Sequence, residues 1–258
     1  MPTLHRDGCR IYWRADGDAS LPALVLANSL GTDVTLWDPI LDTLMQDYFV
    51  IRYDMRGHGG SDTTPGDYSL DQLTDDAQAV IAASGAPSFN FWGISLGGMV
   101  GMALGARKAV GLRKLVLSNT AAQFDKAVWV QRIEAIRQGG MAAVADAVIG
   151  RFYTPAFVQA DSIGVRRMRH GVLSQSPDGY IGCCAAIRDM TLLPTLAAIS
   201  APALIVTGSQ DQSTQPARGE ELRANIAGSS IVSVPSAHIP VTEIPERYLA
   251  AVLPFLKS

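Results

Sequence analysis

The chain has 258 residues, 48% of them hydrophobic, so a single domain can bury a large core without help from a partner. A formal net charge of −3 excludes the basic footprint of a nucleic-acid binder, and no basic run suits an anionic membrane surface. Three cysteines cannot all pair, the neighbours Cys183 and Cys184 are badly placed to bridge each other, and no Cys/His spacing fits zinc, so neither a disulfide framework nor a metal site is expected.

The opening MPTLHRDGCRIYW lacks the charged-then-apolar layout of a secretion signal, and no apolar run nears the roughly 20 residues that cross a bilayer; a cytoplasmic protein is expected. PALVLAN (22–28) and YFVIRYD (48–54) are apolar on consecutive positions, the mark of strands buried on both faces. Between them TLWDPILDTLMQD (35–47) has helical spacing. LDQLTDDAQAVIAASG (70–85) reads as a second helix, stopped by Gly85. FNFWGIS (89–95) and RKLVLSNT (113–120) are further buried strands, separated by the helix-like GGMVGMALGARKA. This alternation predicts an α/β fold, a mostly parallel sheet flanked by helices. From 122 to 192 only helical periodicity remains, in VWVQRIEAIRQ, MAAVADAVIGRFY, DSIGVRRMRHGVL and YIGCCAAIRDM. The predicted organisation is a core over 1–121, an inserted all-helical cap over 122–192, and a core resumed over 193–258. In that last part PALIVTG (202–208) and SSIVSVP (229–235) read as strands and PERYLAAVLPFLKS as a closing helix.

The chemistry centres on Gly93-Ile94-Ser95-Leu96-Gly97, a G-x-S-x-G match that falls where a buried strand gives way to a helix. A sharp turn there holds a serine hydroxyl above the sheet, and small flanking residues let the backbone bend so tightly. Such a serine needs a base. Of four histidines, His5 and His58 precede Ser95, against the Ser, acid, His order of this architecture, and His170 falls inside the helical insertion. His238, in the loop SAHIP after the last strand, is left. The acid must end a strand between nucleophile and base, which selects Asp211 in PALIVTGSQDQS; its rival Asp189 follows no strand. Two backbone donors are needed for the oxyanion: the N–H of Leu96, next to the nucleophile, and that of Leu30 in the loop NSLGTD (28–33), where Gly31 permits the turn.

With these residues in view, the chain resembles the α/β-hydrolase superfamily along its length and, more narrowly, the 3-oxoadipate enol-lactonases of aromatic catabolism. The likeness rests on NSLGTDVTLWD, RYDMRGHGGSD, GISLGGMVG, LVLSNTAAQFD, GYIGCCAAIRD, GSQDQS and SAHIPV. RYDMRGHGGSD and the elbow are common to many members, whereas NSLGTD, SNTA and CCAAIRD are more discriminating. GSQDQST departs from the many relatives that have a proline soon after the acid.

The resemblance implies the α/β-hydrolase fold, with the triad on Ser95, Asp211 and His238. It also implies a small anionic substrate, a five-membered unsaturated lactone bearing an acetate arm, and no metal or cofactor. The substrate carboxylate requires a cation, for which Arg132 and Arg188 of the cap are the candidates, with Trp129 as a packing wall. Arg56 and His58 are expected to fix a turn near the site, and the cap methionines with Cys183 and Cys184 to pack its core. The same triad would serve a broader carboxylesterase, thioesterase or perhydrolase, and a non-catalytic ligand receptor can retain it. A haloalkane dehalogenase is excluded, because that chemistry needs a carboxylate where this chain has Ser95.

Overall fold

Runs that are apolar at every position become the interior of the sheet. The computed structural model describes residues 3–160 and 163–258, and all six strands read from the sequence form. They are β3 (Ala23–Ala27), β4 (Phe49–Tyr53), β5 (Phe89–Ile94), β6 (Leu112–Ser118), β7 (Ala203–Gly208) and β8 (Ser230–Val234). Every residue of β3, β5 and β7 is buried, as expected of strands covered on both faces. The sequence reading missed β1 (Thr3–Arg6) and β2 (Cys9–Asp16), an antiparallel pair at one edge. In β2, Cys9 and Ile11 are buried while Arg10 is exposed, so its half-polar pattern never forms an apolar run. The spatial order is β1-β2-β4-β3-β5-β6-β7-β8, parallel from β4 across to β8.

The helices are α1 (Asp38–Leu44), α2 (Leu70–Ser84), α3 (Leu96–Ala106), α4 (Lys126–Gly139), α5 (Ala142–Phe152), α6 (Pro155–Gln159), α7 (Ile163–Leu173), α8 (Pro177–Asp189), α9 (Pro216–Asn225), α10 (Pro240–Glu243) and α11 (Pro245–Lys257). In α2, Leu70, Leu73, Ala77, Val80 and Ile81 make one buried stripe. Ser69 caps its start and Gly85, at φ 73°, ends it in the left-handed region where glycine carries no Cβ penalty. TLWDPILDTLMQD is not one helix. A 3-10 turn over Val34–Trp37, capped by Asp33, gives way to α1, because Pro39 is accommodated only in a first helical turn.

Between β6 and β7 the chain forms the helical segment α4 to α8, where the expected strand signals are absent. Of the helix read over DSIGVRRMRHGVL, Asp161 and Ser162 lie outside the described residues. Cys183 and Cys184 are buried, free thiols in α8, and burial pushes both up from the ordinary thiol range. Among the described residues no helix is long and apolar enough to cross a membrane.

A parallel sheet brings all its strand C-termini to one edge. Leu30 follows β3, Ser95 follows β5, Asn119 follows β6, Asp211 follows β7 and His238 follows β8. The register aligns these exits, pairing Ala27 with Gly93, Ile94 with Ser118, Ser118 with Val206, and Gly208 with Val234.

Candidate active site

Ser95 sits between β5 and α3 at φ 55°, ψ −114°, a conformation that costs a non-glycine residue about 1–3 kcal/mol. Three hydrogen bonds hold it there. The Ser95 N–H donates to the Ser118 carbonyl at 2.9 Å, the Thr120 hydroxyl to the Ser95 carbonyl at 2.7 Å, and the Gly97 N–H to the Asn28 carbonyl at 3.0 Å. At about 1 kcal/mol each these offset the strain. The glycines are sterically required: a Cβ on Gly97 would stand 2.2 Å from the Ala27 carbonyl oxygen, and one on Gly93 2.2 Å from the Gly97 carbonyl carbon. Both obstacles are backbone, so neither can yield cheaply.

The Gly97 bond to Asn28 also draws the loop after β3 against the start of α3. Asn28 is fixed in turn, its side chain accepting the Trp37 indole N–H and donating to the Tyr53 carbonyl, both at 2.8 Å. Leu96 is the first residue of α3, so its N–H has no intrahelical acceptor. The Leu30 N–H has none among the described residues. Both expected oxyanion donors are therefore uncommitted among the described residues, and the Gly97–Asn28 bond ties together the two segments that carry them.

Asp211 lies three residues beyond β7, and its buried carboxylate collects five donors. Oδ1 accepts the Ser213 N–H at 2.7 Å and the Thr214 N–H at 3.0 Å. Oδ2 accepts the Thr214 hydroxyl at 2.6 Å, the Asn119 amide at 3.1 Å and His238 Nδ1 at 2.8 Å. Burial by itself would raise this carboxyl, but the His238 charge together with the His238 and Thr214 hydrogen bonds outweighs it and holds the group below the ordinary carboxylate range. With Nδ1 engaged, Nε2 is the free nitrogen of the imidazole. Phe152 stacks on the His238 ring at 5.7 Å, and the Ile239 N–H donates to the Phe152 carbonyl.

Ser95 and His238 line one cavity of about 310 Å³, with Leu30, Trp129, Arg132 and Tyr180. Among the described residues no direct hydrogen bond joins the Ser95 hydroxyl to the imidazole; contacts of this kind often tighten only when substrate binds. Arg132 stacks on Trp129, its guanidinium 4.5 Å from the ring centroid.

Of the residues named from the sequence, Arg188 is placed elsewhere. Its guanidinium is held by Asp67 at 2.8 Å and Asp189 at 2.6 Å, outside the cavity lining, so its charge is already spent on two carboxylates. The second guanidinium at the cavity belongs instead to Arg151 of α5. Burial first, then the neighbouring Arg132 charge, lowers its pKa. Among the described residues neither Arg132 nor Arg151 has a carboxylate within ion-pair distance, whereas Arg218, also at the cavity, is paired with Glu221. Two further polar groups of the lining residues are buried without a partner among the described residues, the Ser29 hydroxyl and the Trp129 indole N–H. A site with two unneutralised cations and unpaired donors is chemically suited to an anion. No cluster of candidate metal ligands occurs among the described residues.

The model of the alpha/beta hydrolase fold family matches residues 22–243. The chain is 33% identical to 3-oxoadipate enol-lactonase 2 of Acinetobacter baylyi over 256 residues, 99% of this chain and 96% of that protein. Its structure is similar to the crystal structure of the enol-lactonase from Burkholderia xenovorans LB400, with a TM-score of 0.97, 35% identity and complete coverage of both chains. A hydrolase from Pseudomonas aeruginosa PA01 matches with a TM-score of 0.96 and 36% identity, covering 100% of this chain and 98% of that one. By the sheet, the strand-to-helix elbow and these likenesses, the chain belongs to the α/β hydrolase fold family and is an ester hydrolase.

Proposed function

We propose that the protein opens the ring of 3-oxoadipate enol-lactone to 3-oxoadipate through an acyl-enzyme on Ser95. One observation carries this reading: the elbow serine, an imidazole oriented by a buried carboxylate, and two guanidiniums without anionic partners among the described residues share one cavity. The 3-oxoadipate enol-lactonases among the relatives support the choice of substrate.

In this mechanism His238 Nε2 takes the Ser95 proton as Oγ attacks the ring carbonyl, and Asp211 keeps the other ring proton on Nδ1. The N–H groups of Leu30 and Leu96 receive the oxyanion. Collapse breaks the ring C–O bond and frees an enolate, a stable leaving group that needs little acid assistance; the enolate then takes the proton held on His238 Nε2 and becomes the ketone of the acyl-enzyme, which returns His238 to its neutral form. His238 then takes a proton from water, the resulting hydroxide attacks the acyl carbon, and 3-oxoadipate leaves as Oγ recovers its proton. The substrate carboxylate pairs with Arg132 and Arg151, and Trp129 walls the ring. The stretch 122–192 acts as a cap, because α4 and α5 supply these residues to the cavity that Ser95 lines.

Comparing kcat/KM for the enol-lactone with that for simple aryl esters tests the assignment. The lactone is expected to win clearly; a preference for the esters would leave a general esterase.

A further inference from the structure

The loop that carries Leu30 is anchored from outside the triad. Gly31 sits at φ 83°, and its N–H donates at 3.0 Å to Nε2 of the buried His58. A ring nitrogen that accepts carries no proton, so the proton of neutral His58 resides on Nδ1, which faces the Arg56 carbonyl at 3.4 Å and Cys183 Sγ at 3.8 Å. The Leu30–Gly31 peptide is planar, so anchoring its N–H on His58 fixes the Leu30 carbonyl in the opposite direction. A displacement of that peptide would carry the Cα of Leu30 with it and so re-aim the adjoining Ser29–Leu30 amide. On its other side the loop meets Tyr180, whose ring lies 3.0 Å from where a Gly31 Cβ would stand.

We propose that His58 is a positioning residue whose Nε2 lone pair pins the Leu30–Gly31 peptide and so keeps the Leu30 N–H aimed at the oxyanion. The inference rests on the serine-hydrolase reading, in which that N–H is a donor to the developing charge. The groups around the ring agree with a neutral acceptor. Tyr180 packs against it with centroids 6.0 Å apart, Cys183 is a thiol, and the Arg56 guanidinium is turned to Asp76 in a bidentate pair at 2.6 and 2.7 Å. Burial pushes the imidazole down to about 4, against smaller upward effects of the Arg56 carbonyl and the Asp33 charge. Nε2 is thus free to accept throughout the neutral range. Protonation would replace the acceptor with an N–H facing an N–H.

Two measurements test this. In uniformly ¹⁵N-labelled wild type without ligand, a through-hydrogen-bond coupling should join the Gly31 amide to His58 Nε2, with Nε2 unprotonated and Nδ1 protonated. A protonated Nε2, or no coupling, overturns the contact whatever the enzyme hydrolyses. In turnover of the enol-lactone or an aryl ester, His58→Leu should lower kcat about 100-fold, the scale of losing one oxyanion donor, with KM changed less than about threefold. His58→Gln offers an acceptor to the same N–H and should recover at least about tenfold of that loss. Unchanged kcat in His58→Leu, or equal losses in the two variants at matched thermal stability, sinks the proposal. Should His58→Leu not fold, the coupling and His58→Gln, expected within about tenfold of wild type, decide it. Wild type that hydrolyses neither substrate removes the serine-hydrolase reading instead, and leaves the coupling as the separate test of the contact.

Discussion

His58 should make folding stability acid-sensitive by an amount the structure sets. Burial depresses its folded pKa to about 4 from an ordinary 6.5. Above pH 6.5 both folded and unfolded states hold the ring neutral, and the full stability is present. Between about 6.5 and 4 the unfolded chain binds a proton that the folded chain refuses, so stability falls as pH falls, by about 1.4 kcal/mol per unit. The total is about 3 kcal/mol, complete near pH 4, where the folded ring also protonates. Asp54 titrates over an overlapping range with the opposite sign: burial pushes its carboxyl up to about 7, so the stability it contributes is lost as pH rises. Wild type alone would blend the two, and the informative quantity is wild type minus His58→Gln. Urea unfolding at about pH 6.5, 5.5 and 4.5 should show that difference dropping by about 1 kcal/mol at each step. A difference constant to within about 0.5 kcal/mol across the range would refute a buried neutral imidazole.

Asp211→Asn places an N–H₂ group where five donors converge, and the imidazole can answer only by changing tautomer. Steady-state kcat should fall about 10⁴-fold, and a loss under tenfold would remove Asp211 from the triad. Arg151→Ala and Arg132→Ala should each raise KM for the carboxylate-bearing lactone about 10- to 100-fold, the worth of a charged hydrogen bond, while leaving a neutral aryl ester nearly unchanged. Equal effects on both substrates would place the arginines in packing rather than carboxylate recognition.

What could be read from the sequence follows from how local each signal is. β3, β5 and β7 announce themselves because both faces are buried and no polar residue interrupts them. β2 faces the core on one side only, and its arginines dilute the pattern. The elbow is legible because its glycines answer a steric demand within five residues of Ser95. Asp211 and His238 follow from strand order alone. Thr214 and Asn119, which share the Asp211 Oδ2 with His238, carry no sequence signal, since either is ordinary in a loop.

The arginines of α4, α5 and α8 are the opposite case: helical periodicity places Arg132, Arg151 and Arg188 alike on helices, and only tertiary packing tells which have met a carboxylate. Arg188 has met two, while Arg151 has met none among the described residues and sits beside another cation. Its neighbour in sequence is Phe152, the residue stacked on His238. The same helix end is tied to the histidine loop twice more, through the Ile239 N–H on the Phe152 carbonyl and through Glu243, which accepts the Ala237 N–H at 2.9 Å and the Thr154 N–H at 3.1 Å. A displacement of α5 large enough to move the Arg151 guanidinium away from the cavity therefore strains the contacts that hold the imidazole. In the proposed mechanism, anion recognition and base placement are thus one mechanical unit, built from residues some 90 positions apart in the chain, which is why no local pattern announces it.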